Sequence, residues 1–235
     1  MVSIAEEPRL FVAIPPRQKR RPRWVTPSLV IVLCASFVWT QSLPEPLREA
    51  VLQDWGALGG LGSDPDSLAD PWRWARLFTA LFLHGDWAHL VGNLVFLMIF
   101  GFPAERLLGS LRFLMVFLLG GAVANFAASV SVTDNQVVIG ASGAVSAVIG
   151  AWLALFPKAR LGVVLPLGVF LELVRAPAVL LISLWVLLQV FFAYIGPAYG
   201  QVAWVAHVAG FGTGGLLALM SRGAIARRMR KERGY

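Results

Sequence analysis

The sequence predicts an all-α, polytopic membrane protein with six transmembrane helices in one bundle, and three observations carry this. Of the 235 residues, 57% are hydrophobic and only 14% charged, about half the ~25% charged content of soluble domains. The apolar residues gather into blocks approaching the ~20 residues that a ~30 Å hydrocarbon core requires. Lys and Arg concentrate between and beyond these blocks. A soluble chain of this length has too small a core to hide so much apolar sequence.

The six blocks are residues 26–41, 88–103, 113–131, 141–156, 177–195 and 203–220. Several are short for a straight span, which predicts local bilayer thinning or helix ends below the surface. Residues 161–174 are apolar but interrupted by Pro166 and Glu172, and read as an interfacial excursion and not as a seventh span. The first block follows basic residues, as a signal peptide's apolar region does, but no small-x-small cleavage site follows it, so it reads as a span.

Orientation comes from the basic residues: six Lys and Arg lie in the N-terminal tail, two in 104–112, three in 158–175 and six in the C-terminal tail. The long loop 42–87 instead holds seven acids: Glu45, Glu49, Asp54, Asp64, Asp66, Asp70 and Asp86. Both tails are therefore expected in the cytoplasm, with loop 42–87 outside. The domain plan is a basic cytoplasmic tail over 1–25, too proline-rich and polar to pack, a membrane domain over 26–221, and a second basic cytoplasmic tail over 222–235. The net charge of +7 does not predict a nucleic-acid partner, because its cations lie where topology signals and anionic lipid headgroups account for them. The single cysteine, Cys34, excludes an intrachain disulfide and a cysteine-based metal site. Neither metal nor cofactor is expected.

Polar side chains inside spans are costly and mark function by default. Here they fall in one layer. Blocks two, four and six share a polarity, and each carries its unusual residues near its outer start: His89 and Asn93, then Ser142, then His207. His89 and Asn93 are four apart, hence on one helix face. Ser142 lies in Gly140-Ala-Ser-Gly143 at the start of block four, where backbone N–H groups lack intrahelical partners and can hold a developing oxyanion. The small stripe Ala206, Gly210, Gly214, Ala218 on block six lets that helix approach closely and bring His207 to Ser142. Taken singly these residues have bland readings: interhelical hydrogen bonds for His207 and Asn93, close packing for the glycines. The string is not the nucleophile elbow of soluble hydrolases, since Ala144 replaces its second glycine. Their conjunction in one leaflet points to a serine paired with a general base.

Together, His89-x-x-x-Asn93, Gly140-Ala-Ser-Gly143 and His207-x-x-Gly210-x-x-x-Gly214 resemble the rhomboid intramembrane serine proteases. Gly101-x-x-x-Glu105-x-x-x-Gly109 and the loop residue Arg76 fit the same family, and the resemblance covers about residues 26–221. It implies a rhomboid-like bundle with Ser142 as nucleophile and His207 as base, a dyad without a carboxylate. His89, Asn93 and the Ser142 N–H would form the oxyanion hole. Glu105 would hold the junction between spans two and three, against Arg106 or Arg112, and Arg76 would order the first loop. The implied partners are transmembrane protein substrates and the lipid bilayer, and the implied location is a bacterial inner membrane. Two departures stand out: Ala75 replaces the Trp that commonly precedes the loop arginine, and Ser146 replaces the Tyr or Phe common four residues after the serine. The second leaves His207 either less rigidly held or braced by another ring. The rival readings are an inert rhomboid-like binder of membrane segments and a small transporter; the lack of any acid inside the spans besides Glu105, at an end, argues against ion coupling.

Overall fold

A computed structural model describes residues 23–60, 69–132, 136–167, 170–195 and 204–232. Residues 1–22, most of the tail expected not to pack, lie outside the described residues. The chain is mostly helical. Four helices are long and apolar enough to cross a membrane: α1 (Val25–Ser42), α4 (Trp87–Leu108), α5 (Ser110–Ser131) and α8 (Trp204–Glu232). Two shorter apolar helices, α6 (Ser142–Leu155) and α7 (Ala178–Ile195), complete the set.

The all-helical expectation needs amending in two places. Residues 161–174 fall within an antiparallel hairpin of β3 (Arg160–Leu167) and β4 (Phe170–Pro177). Loop 42–87 carries α2 (Glu45–Trp55) and α3 (Pro71–Thr79), and its β1 (Ala57–Leu58) pairs antiparallel with β2 (Val137–Val138), just before Gly140. The hairpin escapes a periodicity reading because a continuous run of Leu and Val suits a strand and a buried helix alike.

Helix ends follow local chemistry. The Asp70 carboxylate accepts the Trp72 N–H at 2.9 Å with Pro71 in the first turn of α3, and Asp86 caps α4 by accepting the His89 N–H at 2.8 Å. Gly109, at φ +84°, closes α4 and opens α5, a conformation that glycine tolerates and other residues resist. The last helix runs past the expected boundary at 221 as far as Glu232. There Arg222 donates to the Ala154 carbonyl near the end of α6, and Arg228 to the Leu107 carbonyl near the end of α4. Both close helix ends whose carbonyls lack intrahelical partners.

Glu105 is fully buried and accepts four hydrogen bonds: from the Val25 and Thr26 N–H groups at 3.0 and 2.9 Å, the Thr26 hydroxyl at 2.7 Å and the Ser110 hydroxyl at 2.6 Å. Its bond from Ser110 crosses the α4–α5 junction. Its further partner is the start of α1, and the expectation of Arg106 or Arg112 is corrected on that point. The unpartnered N–H groups at a helix start satisfy a buried carboxylate without burying a second charge. Gly101, one turn back, leaves room for Thr26, whose Cγ2 would stand 3.3 Å from an added Cβ.

At the centre, α6 is buried continuously from Gly143 to Trp152, packed among α4, α5 and α8. Its approach to α8 is backbone to backbone. A side chain at Gly210 would strike the Gly143 carbonyl, and one at Gly214 the Ala147 carbonyl. Ahead of α6, the chain is held by the Gly140 N–H on the Ala80 carbonyl at 2.9 Å and by the Ala141 N–H on His84 Nε2 at 3.4 Å.

Two outcomes follow from this packing. Gly214→Ala is expected to destabilise the protein by about 1–3 kcal/mol, as overpacking does, because the obstacle is backbone. Gly212→Ala, with nothing within 4 Å of its added Cβ, leaves stability unchanged or raised, and SDS titration from dodecyl maltoside compares the two. His84, 1% exposed, lies in the linker before α4, and burial, with the nearby His89, lowers its pKa from 6.5 to about 4. Its neutral Nε2 is what accepts the Ala141 N–H. Between pH 6.5 and 4 the unfolded chain therefore binds a proton that the folded one does not, so this contribution is complete above pH 6.5 and is lost as pH falls toward 4. The same titration across that range is expected to show a pH dependence weaker in His84→Gln by up to about 3 kcal/mol.

Candidate active site

The serine stands at the first position of α6, after an N-terminal turn whose first helical bond is the Val145 N–H on the Ala141 carbonyl at 2.8 Å. The N–H groups of Ser142, Gly143 and Ala144 thus precede the helix ladder and point from its electropositive end. Gly140, at φ +115°, makes the turn possible. It also admits the His89 ring: a Cβ there would lie 2.5 Å from the ring's Cε1 and Nε2.

Ser142 Oγ lies 2.9 Å from His207 Nε2. The two residues are 65 positions apart in sequence, and the glycine contacts between α6 and α8 set their separation. His89 and Asn93 face the same cavity of about 410 Å³. Asn93 Nδ2 donates one hydrogen to the His89 carbonyl at 3.0 Å, a one-turn bond that fixes the amide. The Ser146 hydroxyl turns back to the Ser142 carbonyl at 2.8 Å.

With Ser146 one turn after the serine, the rings that meet His207 come from outside α6. Trp185 of α7 stacks on the imidazole at 6.3 Å between centroids and 27° between planes, and Trp204 meets it edge-on at 6.1 Å. The other imidazole nitrogen, Nδ1, lies 2.7 Å from Oε1 of Gln189, a side chain 6% exposed on α7. With the carbonyl oxygen of the amide accepting, Nδ1 carries the proton and Nε2 presents a lone pair to the serine.

Ser142, His207, His89 and Asn93 are thus brought together, as are the packing glycines Gly140, Gly143, Gly210 and Gly214. Gly101, Glu105 and Gly109 lie at the opposite end of α4. Arg76, buried on α3, donates through Nε to the Gly56 carbonyl at 2.7 Å and through Nη2 to the Gln53 carbonyl, so it fastens α3 to the end of α2 with Ala75 before it. Sequence reasoning missed Gln189, Trp185 and His84. A signal existed for Gln189, the lone amide in the apolar run 177–195, under the same rule about polar residues in spans that picked out Asn93.

A family model described as the rhomboid domain matches residues 71–223, from the start of α3 well into α8. Among similar proteins, YdcA of Bacillus subtilis is 36% identical over 81 residues, 34% of this chain and 41% of that protein. The rhomboid protease GluP of the same organism is 36% identical over 96 residues, 41% of this chain and 18% of GluP. An uncharacterized protein of Mycobacterium bovis is 30% identical over 208 residues, 81% of this chain and 73% of that protein. The chain therefore spans less than half the length of the two Bacillus relatives and most of the mycobacterial one. Since the matched region takes in well over half of the sequence and includes the arginine loop, the serine helix and the histidine helix, this chain belongs to the rhomboid family of integral membrane proteins.

Proposed function

We propose that this chain is an intramembrane serine endopeptidase that hydrolyses a peptide bond within or beside a substrate's transmembrane segment, with Ser142 as nucleophile and His207 as general base. The single observation that carries the reading is the 2.9 Å contact between Ser142 Oγ and His207 Nε2. The name of GluP, a rhomboid protease, supports it.

Six spans, α1 and α4 to α8 without the hairpin, cross the bilayer with both tails cytoplasmic, in a bacterial inner membrane. The short helix α6 fits this topology. Its 14 residues rise about 21 Å, some 10 Å less than the hydrocarbon core, so its serine end sits below the outer surface in a cavity that water can enter. A substrate helix hides its carbonyls in its own hydrogen bonds. It must unwind locally to present one, which favours cleavage near small or helix-breaking residues close to the outer face.

In the reaction, Ser142 Oγ attacks the carbonyl carbon while its proton passes to His207 Nε2. The resulting oxyanion accepts from the Ser142 N–H, His89 and Asn93. Collapse expels the amine, which takes the proton from His207 and leaves an acyl-serine. Water, losing a proton to His207, then attacks the ester; the acyl–oxygen bond breaks, His207 returns the proton to Ser142 Oγ, and the acid is released. The membrane domain over 26–221 carries all of these groups, and the flanking basic segments contribute topology and contact with anionic lipid.

Labelling with a fluorescent fluorophosphonate tests the proposal in detergent-purified protein. Wild type is expected to label, and folded Ser142→Ala and His207→Ala are expected not to. Folded wild type that fails to label overturns the proposal in favour of a non-catalytic binder of membrane segments. In the same assay His89→Ala and Asn93→Ala retain labelling but each slows it by roughly 10²–10³, the usual cost of one oxyanion donor.

A further inference from the structure

We propose that Gln189 is a positioning residue for His207, so that the reacting pair is the working end of an uncharged Ser142–His207–Gln189 triad. This rests on the protease reading above. The geometry comes from α7, where Trp185 and Gln189 are one turn apart and therefore on one face, and both reach His207: the indole stacks on the ring, and the amide oxygen lies 2.7 Å from Nδ1. The opposite face of α7 exposes Leu180, Leu184, Leu187 and Phe191, as a lipid-facing surface does. Gln189 is the amide of this helix, and it is turned inward and buried.

A serine's base must present a lone pair at Nε2, and only the tautomer with its proton on Nδ1 does so. An acceptor at Nδ1 selects that tautomer and fixes the ring plane, the role that a buried aspartate fills in soluble triads. Here a carboxylate would be a second buried charge within a span, whose desolvation is expensive. An amide oxygen supplies the acceptor at lower cost, and gives up the attraction that a carboxylate exerts on the imidazolium formed during reaction. Among the described residues, the other titratable side chain lining this cavity is His89 of α4. The helices α6 and α7 contain no Asp, Glu, Lys or Arg, and the one charged residue of α5, Arg112, lies at its far end.

The test compares second-order rates of fluorophosphonate labelling, from pH 5 to 9, for wild type, Gln189→Met and Gln189→Glu. Methionine keeps the length of the side chain and removes the acceptor. It is expected to slow labelling roughly 10- to 100-fold, less than the ~10⁴ lost when a soluble triad is forced into the wrong tautomer. Glutamate, which accepts when ionised and never forces that tautomer, is expected to label at a substantial rate while the acid limb of its profile moves up by about one to three pH units, as for an imidazole given a neighbouring carboxylate. A residue that only fills space would not move the profile. Gln189→Met with the wild-type rate and profile, or Gln189→Glu with an unmoved acid limb, overturns the proposal and leaves the protease reading standing. If Gln189→Met does not fold, the glutamate profile decides alone. Wild type that does not label removes both.

Discussion

Helices in a bilayer gain little by burying apolar side chains against each other, because lipid tails are as apolar as leucine. What draws α6 against α8 is the absence of side chains: at Gly210 and Gly214 the carbonyls of Gly143 and Ala147 occupy the space a Cβ would need. Gly150 repeats the contact from the other side, against the Phe211 carbonyl. Three such points along two helices leave neither able to slide or rotate. The 2.9 Å separation of Ser142 and His207 is a result of that fit, since a shift of 1 Å would break a hydrogen bond whose useful range is a few tenths of an ångström. Close packing and site geometry are here one constraint.

The polar groups of the interior follow from the same setting, where each must find a partner inside the protein. At one end of α4 the Glu105 carboxylate takes four donors from α1 and Ser110. Asn125 of α5 donates to the Leu77 carbonyl of α3 at 2.8 Å, and Ser36 of α1 to the Phe82 carbonyl at 2.6 Å. At the other end, His84 and Gly140 tie the chain entering α6 to the linker before α4. All but the Ser110–Glu105 bond join elements distant in sequence, so together they set the rotation and height of helices that the apolar contacts leave free. The serine end of α6 is anchored in the same way, with Gly140 bonded to Ala80, Ala141 to His84, and β1 paired to β2 just upstream.

The features legible in the sequence were those written as local patterns. Block composition located six apolar helices to within a few residues, except that α8 extends to Glu232. The four-residue spacing of Ala206, Gly210, Gly214 and Ala218 announced a close helix contact, and the polar residues near the starts of blocks two, four and six are the ones that line one cavity, Ser142, His207, His89 and Asn93. What escaped was set by tertiary partners. Glu105 invites pairing with a nearby arginine, yet besides Ser110 its partners lie 79 and 80 positions away, and two of those three donors are backbone groups that no side-chain pattern marks. The hairpin at 160–177 was hidden because its continuous run of Leu and Val carries none of the alternation that identifies strands.

Ser146 shows how a missing local feature can be met from afar. An aromatic ring one turn after the serine would brace His207 from within α6. Here that position holds a hydroxyl bonded back to the serine's own carbonyl, and the bracing falls to α7, which supplies Trp185 to the ring face and Gln189 to its second nitrogen. One helix thus controls both the tilt of the imidazole and the placement of its proton. Because α7 touches the bundle mainly through α8 and the hairpin strand β4, two of the side chains around the imidazole come from a helix outside the tightly fitted α6–α8 pair, while Trp204 comes from α8 itself. The distance between serine and histidine is fixed by backbone contact, whereas the imidazole is oriented largely by side chains of a separate element. A change in α7 therefore alters the surroundings of the imidazole without touching the glycine contacts that hold the serine.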